Sequence, residues 1–294
     1  MNSSNFSHIL KPLVFILAGL VGANASGWTS HEECEGTINE RVPGFFTLTT
    51  YSNDQVGTGS TSCQMGIKAG TDGWATWGGS MSFPSTLAKG QELWIRLSMF
   101  VPNDFNYSGS PQLKFMRTHT RASGGGNAGY LDFLITPDGP THWDDANKKQ
   151  TDSPYYYYYE TVVRQEYPGV FSGDRIEKGV WESYEIYYKF DTLSVDEGGT
   201  GVVRIWKNNK LLSNLTNQIT LNNSTTVADS FYLFTYWNGN APKDQHLYID
   251  DIIMTSDTPV NTDDNGFRFI GGSIGSDSRS VSPMPPSGLE VILQ

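Results

Sequence analysis

The chain has 294 residues and a formal net charge of −11, with 31 acidic against 20 basic residues. That balance argues against nucleic acid and anionic membranes as partners, although a local basic groove inside an acidic shell remains compatible with an anionic substrate. Aromatic residues make up 13% and charged residues 17%, with 31 glycines, a composition suited to many short strands joined by glycine turns, with aromatic side chains on a sheet face.

Residues 1–25 read as a secretory signal: Lys11, then an apolar run over 13–21, then Ala23-Asn24-Ala25 as a small-x-small cleavage signal. The run is too short to span a bilayer. The mature chain is expected to start near Ser26 and to be exported, extracellular or periplasmic, soluble and monomeric. The only two cysteines are Cys34 and Cys63. In an exported chain they are expected to pair; two buried free thiols are the competing reading.

Residues 26–256 carry period-2 alternation and almost no helical periodicity. Strands are expected over 92–101, 112–119, 130–136, 155–163, 181–191, 202–207, 210–212, 230–237 and 247–255. In 130–136, Leu131, Phe133 and Ile135 take one face, with Tyr130 and Asp132 on the other. In 181–191, Tyr184, Ile186, Tyr188 and Phe190 alternate against Ser183, Glu185, Tyr187 and Lys189. Asn208-Asn209 marks a hairpin turn. This density of strands without helices predicts an all-β jelly roll, a two-sheet antiparallel sandwich whose curved sheet offers a concave substrate groove. The Gly-rich 122–128 reads as a mobile loop, and 136–153, with His142, Trp143, Asp144 and Asp145, as a flap over the groove. Residues 257–294 turn to Asp, Ser, Gly and Pro and are expected to be a linker, clearest at 280–287, leading to the opening strand of a candidate fibronectin-like module at Pro286-Ser-Gly-Leu-Glu-Val-Ile-Leu.

Several motifs resemble, in order and spacing, the secreted jelly-roll polysaccharide lyases of the concanavalin-like group: Gly90-Gln-Glu-Leu-Trp-Ile-Arg with Phe-Val-Pro102, Leu113-Lys-Phe-Met-Arg, Gly179-Val-Trp-Glu with Glu-Ile-Tyr-Tyr-Lys189, Tyr232-Leu-Phe-Thr-Tyr-Trp-Asn and Tyr248-Ile-Asp-Asp-Ile252. Over about residues 30–256 the chain looks most like the jelly-roll ulvan lyases; glucuronan and heparin lyases share the layout. It departs from the alginate-lyase pattern, with no clear Arg-x-Glu-x-Arg or Gln-Ile-His. The resemblance implies an endo-acting lyase that cleaves a uronic-acid-containing, ulvan-like sulfated polysaccharide by β-elimination with Lys and Tyr, needing no catalytic cofactor.

Such a lyase must neutralise the uronate carboxylate, take the weakly acidic proton beside it and protonate the leaving oxygen. Lys114 lies on the polar side of an alternating strand, where a merely solvated lysine is the competing reading. Tyr236 closes a late strand on which both faces are apolar, so alternation alone leaves a core or rim tyrosine open; the resemblance places the catalytic tyrosine there. Tyr232, Phe234 and Asn238 share its face, and Tyr232 and Asn238 are expected to touch substrate. Simple alternation puts Arg117 and His119 on the core side, opposite Lys114. Either the strand bulges or it ends after Met116; the expected solution is that it ends, leaving both at the rim to contact a carboxylate or sulfate, with a structural ion pair as the alternative and Arg121 as a weaker candidate of the same kind. Tyr157 and Tyr159 in the 155–159 tyrosine run are candidate sugar platforms, and Arg164 and Arg204 candidate anion contacts, Arg204 with the reservation that it leaves the core toward the backing sheet. Glu35 and Asp250 are candidate ligands for a structural calcium ion. No zinc spacing, serine elbow or phosphate loop is present. A glucuronan or glycosaminoglycan lyase, a non-catalytic carbohydrate-binding jelly roll and, less favoured, a hydrolase are the competing functions; the hydrolase would need paired carboxylates on one face, and Glu182 and Glu185 fall on opposite faces.

Overall fold

The computed structural model describes residues 27–107, 112–137, 155–160, 169–170, 176–234 and 236–272; for 112, 136, 137, 155–160, 169–170 and 238 it describes the backbone only. The signal, the 138–153 part of the flap, Arg164 and the 273–294 tail lie outside these residues.

The strands build two antiparallel sheets. The backing sheet contains β1 (Thr29–Glu32), β2 (Thr49–Ser52), β3 (Ser62–Ile67), β5 (Glu92–Phe100), β10 (Trp181–Lys189), β11 (Val202–Lys207), β12 (Lys210–Thr216) and β15 (Gln245–Thr255), in the order β12-β11-β10-β5-β15-β3-β2 with β1 also on β15. The front sheet contains β4 (Gly79–Leu87), β6 (Gln112–Arg121), β7 (Asn127–Pro137), β8 (Tyr155–Glu160), β9 (Gly169–Val170), β13 (Val227–Leu233) and β14 (Trp237–Asn238). Its order is β4-β13-β6-β7-β8-β9 with β14 also on β6. The sandwich and its antiparallel pairing match the expected fold class.

Alternation places the core where the sequence pattern puts it. Leu93, Ile95, Leu97 and Met99 of β5, Tyr184, Ile186 and Tyr188 of β10, and Leu131, Phe133 and Ile135 of β7 are all buried between the sheets. Neighbouring strands keep that parity because a period-2 side chain can reach the core only in one register. Asn208 and Asn209 both take positive φ, 48° and 65°, the turn that a two-residue hairpin requires. The Gly-rich 122–128 segment is a tight hairpin turn, closed by the Ala122 N–H to Gly126 carbonyl bond at 2.8 Å.

The N-terminal strands were not legible in advance. β1 to β4 are short and polar or interrupted by Gly and Pro; β1 and β3 become strands by pairing with β15 and β4 by pairing with β13, far along the chain, while β2 pairs with β3. Cys34 and Cys63 form a disulfide, which ties the segment after β1 to β3.

The linker expected from residue 257 does not start there. Residues 257–272 fold back over the outer face of the backing sheet. Phe269, with Phe267 and Ile270 beside it, covers Trp94, Tyr187 and Trp206, and a two-stranded β16–β17 ribbon (Asn261–Thr262 with Arg268–Phe269) shapes the turn. Buried Glu185 accepts the Ile270 and Gly271 amide N–H groups at 2.6 and 3.1 Å. The polar composition hid three apolar anchors within five residues.

Candidate active site

The open face of the front sheet carries the candidate residues, and two bulges decide what it displays. In β6 the register against β7 shifts between Lys114 and Met116. Leu113, Phe115 and Met116 are all buried in the core. The extra residue reverses parity, so Lys114, Arg117, His119 and Arg121 all emerge on the open face. The expectation that the strand ends after Met116 is therefore corrected: β6 runs on to Arg121, and the bulge satisfies the polar side chains. In β13 a second shift lies between Ala228 and Ser230, and the additional residue, Asp229, turns toward the same face.

These side chains form two neighbouring ion clusters. Arg117 Nε donates to Asp132 Oδ1 at 2.5 Å, and Lys114 Nζ lies 3.4 Å from Asp132 Oδ2. All three are buried. Burial pushes the Asp132 carboxyl up, but the charges of Lys114 and Arg117 outweigh it and hold it below the ordinary carboxylate range. One carboxylate thus serves two cations. Next to it, His119 Nδ1 is 2.6 Å from Asp229 Oδ1, and Arg121 Nε is 3.3 Å from Asp229 Oδ2. Since a carboxylate only accepts, Nδ1 carries the proton and donates; Nε2 has no partner among the described residues. Among the described side chains, the three cations Lys114, Arg117 and Arg121 face two carboxylates, Asp132 and Asp229, on a protein that is acidic as a whole.

Aromatic rings line the patch. The Arg117 guanidinium sits 3.9 Å from the centre of the Tyr130 ring. His119 lies 5.1 Å from Tyr130 and 5.9 Å from Tyr232 between ring centres. Trp74, on the loop between β3 and β4, stacks on Tyr232 at 6.1 Å and meets Tyr236 edge-on at 6.4 Å.

Tyr236 reaches this face by a break in the strand expected over 230–237. β13 stops at Leu233, and Phe234 takes a positive φ of 47°, costly for a bulky residue and found where a site needs it. Phe234 goes into the core against Phe115, whereas Tyr232 and Tyr236 stay half-buried beside Trp74. The chain rejoins β6 at β14, where the Lys114 N–H donates to the Tyr236 carbonyl at 2.9 Å. Lys114 and Tyr236, 122 positions apart, are direct neighbours across the ladder.

Other candidates divide. Tyr232 is in the patch. Asn238 lies in β14 beside β6. Tyr157 and Tyr159 lie in β8, opposite Ile135 and Phe133 of β7; their side chains are outside the description. Arg204 is not at the site. It belongs to the backing sheet, where it sits over the Tyr187 and Phe267 rings and donates to Asn214, because its parity in β11 turns it outward beneath the 257–272 segment.

Glu35 and Asp250 both hold the loop between β2 and β3. Glu35 accepts from the Ser60 N–H and hydroxyl at 2.8 and 2.6 Å, and Asp250 Oδ2 accepts from the Gly57 and Thr58 N–H groups, each at 2.9 Å. Asp250 Oδ1 is buried with no partner, and burial pushes this carboxyl up to about 7. An orphaned oxygen suits a cation. The only cluster of three or more His, Cys, Asp or Glu donors among the described residues is Glu32, Cys34 and Cys63, two of which are spent on the disulfide, so a cation at Asp250 would have to draw its remaining ligands from loop carbonyls or water.

Sequence reasoning missed Trp74, Asp132 and Asp229 as site residues. Tyr130 and Asp132 were legible as the polar face of β7, but their meeting with Arg117 and Lys114 depends on the β6 bulge. Trp74 and Asp229 had no signal, since one lies in a glycine-rich loop and the other is the inserted residue of a bulge.

No protein-family model and no curated protein sequence matches the chain. Solved structures do. A variant of the alginate lyase Aly36B bound to an alginate trisaccharide superposes with a TM-score of 0.54 at 13% identity, covering 77% of this chain and 97% of that one. The endo-β-1,4-glucuronan lyase of the fungus Trichoderma reesei superposes with a TM-score of 0.50 at 11% identity, covering 76% and 94%. The fold is the jelly roll that these lyases share. At such identity the likeness establishes architecture, and the chemistry has to be argued from the patch itself.

Proposed function

We propose that the chain is an exported, endo-acting polysaccharide lyase that cleaves a uronic-acid-containing polymer by β-elimination, an ulvan-like sulfated one fitting best. The observation that carries the reading is the pairing of Lys114 with Tyr236 across the ladder, on a face where Arg117, His119 and Arg121 also emerge. An anionic sugar on an acidic protein needs such a cationic patch. The disulfide agrees with an oxidising compartment.

The roles follow from the hydrogen bonds. Lys114 shares the Asp132 carboxylate with Arg117, and its cationic head neutralises the uronate carboxylate as charge builds on the adjacent carbon. Arg117 is tied between Asp132 and the Tyr130 ring and adds to that field. His119 donates through Nδ1 to Asp229 and is left with a basic Nε2, the natural acceptor for the proton beside the carboxylate. Tyr236 then protonates the departing glycosidic oxygen. The bond from the carbon bearing the carboxylate to its hydrogen breaks, a C=C bond forms, and the C–O bond breaks with its electron pair leaving on oxygen. Sulfate groups along the chain would meet Arg121.

The unsaturated product absorbs in the near ultraviolet. A hydrolase would yield reducing ends without that absorbance, and a binding module would yield neither. Purified protein is expected to raise this absorbance on at least one member of a panel of ulvan, glucuronan and glycosaminoglycans. Tyr236→Phe and Lys114→Ala are each expected to lower kcat by about 100-fold or more with unchanged circular dichroism. Retention of most activity by both variants rejects the assignment.

A further inference from the structure

We infer that Trp74 is a sugar-stacking platform, the floor of a subsite that seats one pyranose ring of the polymer next to the cleavage point. The inference rests on the lyase reading and adds to it a residue outside the acid–base and charge groups.

Trp74 is an anomaly for a loop side chain. It is 48% exposed, yet its ring is nearly parallel to Tyr232, at 11° and 6.1 Å, and its edge is braced by Tyr236 at 74° and 6.4 Å. One face of the indole is thus occupied by protein and the ring still presents almost half of its surface to solvent. A large apolar side chain left exposed and braced from behind marks a contact surface rather than a packing accident.

The loop that carries it is built rather than loose. Asp72 Oδ1 accepts the Trp74 N–H at 3.0 Å. The Trp237 N–H donates to the Asp72 carbonyl at 2.7 Å and the Ala241 N–H to the Thr71 carbonyl at 3.0 Å, so the loop is pinned to the residue that follows Tyr236. Gly73 takes φ +77°, and a Cβ there would fall 1.8 Å from the ring of Trp77, itself wholly buried beneath the loop. Only glycine lets the turn close over Trp77 and lift Trp74 outward. The indole is thereby fixed before any ligand arrives, which limits the ordering cost of binding.

The chemistry of the occupant follows from the surroundings. Trp74 borders Tyr232, and Tyr232 borders His119 and Tyr130, which holds Arg117. A flat apolar ring face adjoining a cationic patch fits a pyranose whose C–H face stacks on indole while its carboxylate, or that of the next residue, points toward the cations. A purely apolar ligand would have no use for the cations, and a small anion none for the indole.

The test is calorimetric titration of hexasaccharides prepared from the polymer that the wild type degrades, out of ulvan, glucuronan and glycosaminoglycans, together with steady-state cleavage of that polymer. Trp74→Ala is expected to weaken hexasaccharide binding and raise KM by about tenfold, with kcat changed much less, and Trp74→Phe is expected to restore most of the affinity because a flat ring is what the subsite uses. Intrinsic fluorescence of the wild type should change on saturation, and the part of that change due to Trp74 should be missing in Trp74→Phe. If the wild type binds and cleaves while Trp74→Ala does so with the same affinity and KM, the platform is rejected and the lyase reading stands. If Trp74→Ala and Trp74→Phe lose kcat equally with KM unchanged, the indole only supports Tyr236 and the platform is again rejected. If the wild type neither binds nor cleaves any uronate polymer, the lyase reading fails and takes this inference with it.

Discussion

At the scale of single residues, the patch works by sharing. Asp132 is one carboxylate between Lys114 and Arg117, and Asp229 is one between His119 and Arg121. Half-compensated cations are costly to bury, and their retention on one face is what an anionic substrate would exploit. Asp229 acts through His119, so it is a positioning residue. Asp229→Asn is expected to lower kcat by roughly 10- to 100-fold, the scale of losing the group that orients a working imidazole. The same change removes the carboxylate that fixes the tautomer and orientation of the imidazole, so the loss is expected in kcat with KM little changed. Steady-state kinetics beside circular dichroism check this; a loss that only tracks a fall in folded protein would mean that Asp229 merely supports the fold. Lys114 and Tyr236 were legible as individual candidates, and Arg117 and His119 as residues that had to escape the core. What the chain could not reveal locally was how they escape, because a bulge is a property of two strands in register and not of one.

Elements carry the next layer. The backing sheet is expected to be polar outside, as Glu185, Tyr187 and Arg204 imply, but residues 257–272 cover it with a small second core. Phe269 rests on Trp206 with ring centres 6.0 Å apart and is 8% exposed. Removing its ring exposes Trp94 and Trp206 without leaving a closed cavity, so Phe269→Ala is expected to cost about 2 kcal/mol, in the range for burying one large apolar side chain. A lower denaturant midpoint at unchanged m-value is the measurement; no change would return this segment to the status of a linker. The sequence alternation of β7, β10 and β11 was sufficient to read their inner faces, since each has one face apolar. It was insufficient for β1 to β4, which have little pattern of their own, β1, β3 and β4 being recruited by long-range pairing and β2 by β3, and for the 230–237 stretch, where both faces are apolar and the positive φ of Phe234 divides what reads as one strand into two.

For the molecule as a whole, pH is a sensitive probe. Asp250 and Glu185 are buried carboxyls whose ordinary values of 3.8 and 4.5 are each pushed up to about 7 by burial, against the amide hydrogen bonds they accept. Between those limits the folded state holds a proton that the unfolded state has released, so stability falls as pH rises through about 4 to 7 and levels off above it. Thermal unfolding from pH 5 to 8 is expected to show that decline, and Asp250→Asn to flatten it; an unchanged slope in the variant would remove Asp250 from the account. If, as proposed, a calcium ion takes the orphaned Oδ1, calcium should raise the wild-type Tm at pH 8 and leave Asp250→Asn unmoved. From the sequence alone came the all-β class, the two-layer core, the cysteine pair and the short roster of acid–base candidates, because alternation, turn chemistry and residue type are local quantities. The tertiary structure alone decided that Lys114 and Tyr236 pair backbone to backbone, that Arg117, His119 and Asp229 turn to the open face, that Trp74 flanks Tyr236 and that Arg204 lies on the other sheet. Those outcomes depend on register, bulges and backbone breaks, which arise only when strands distant in the chain share hydrogen bonds.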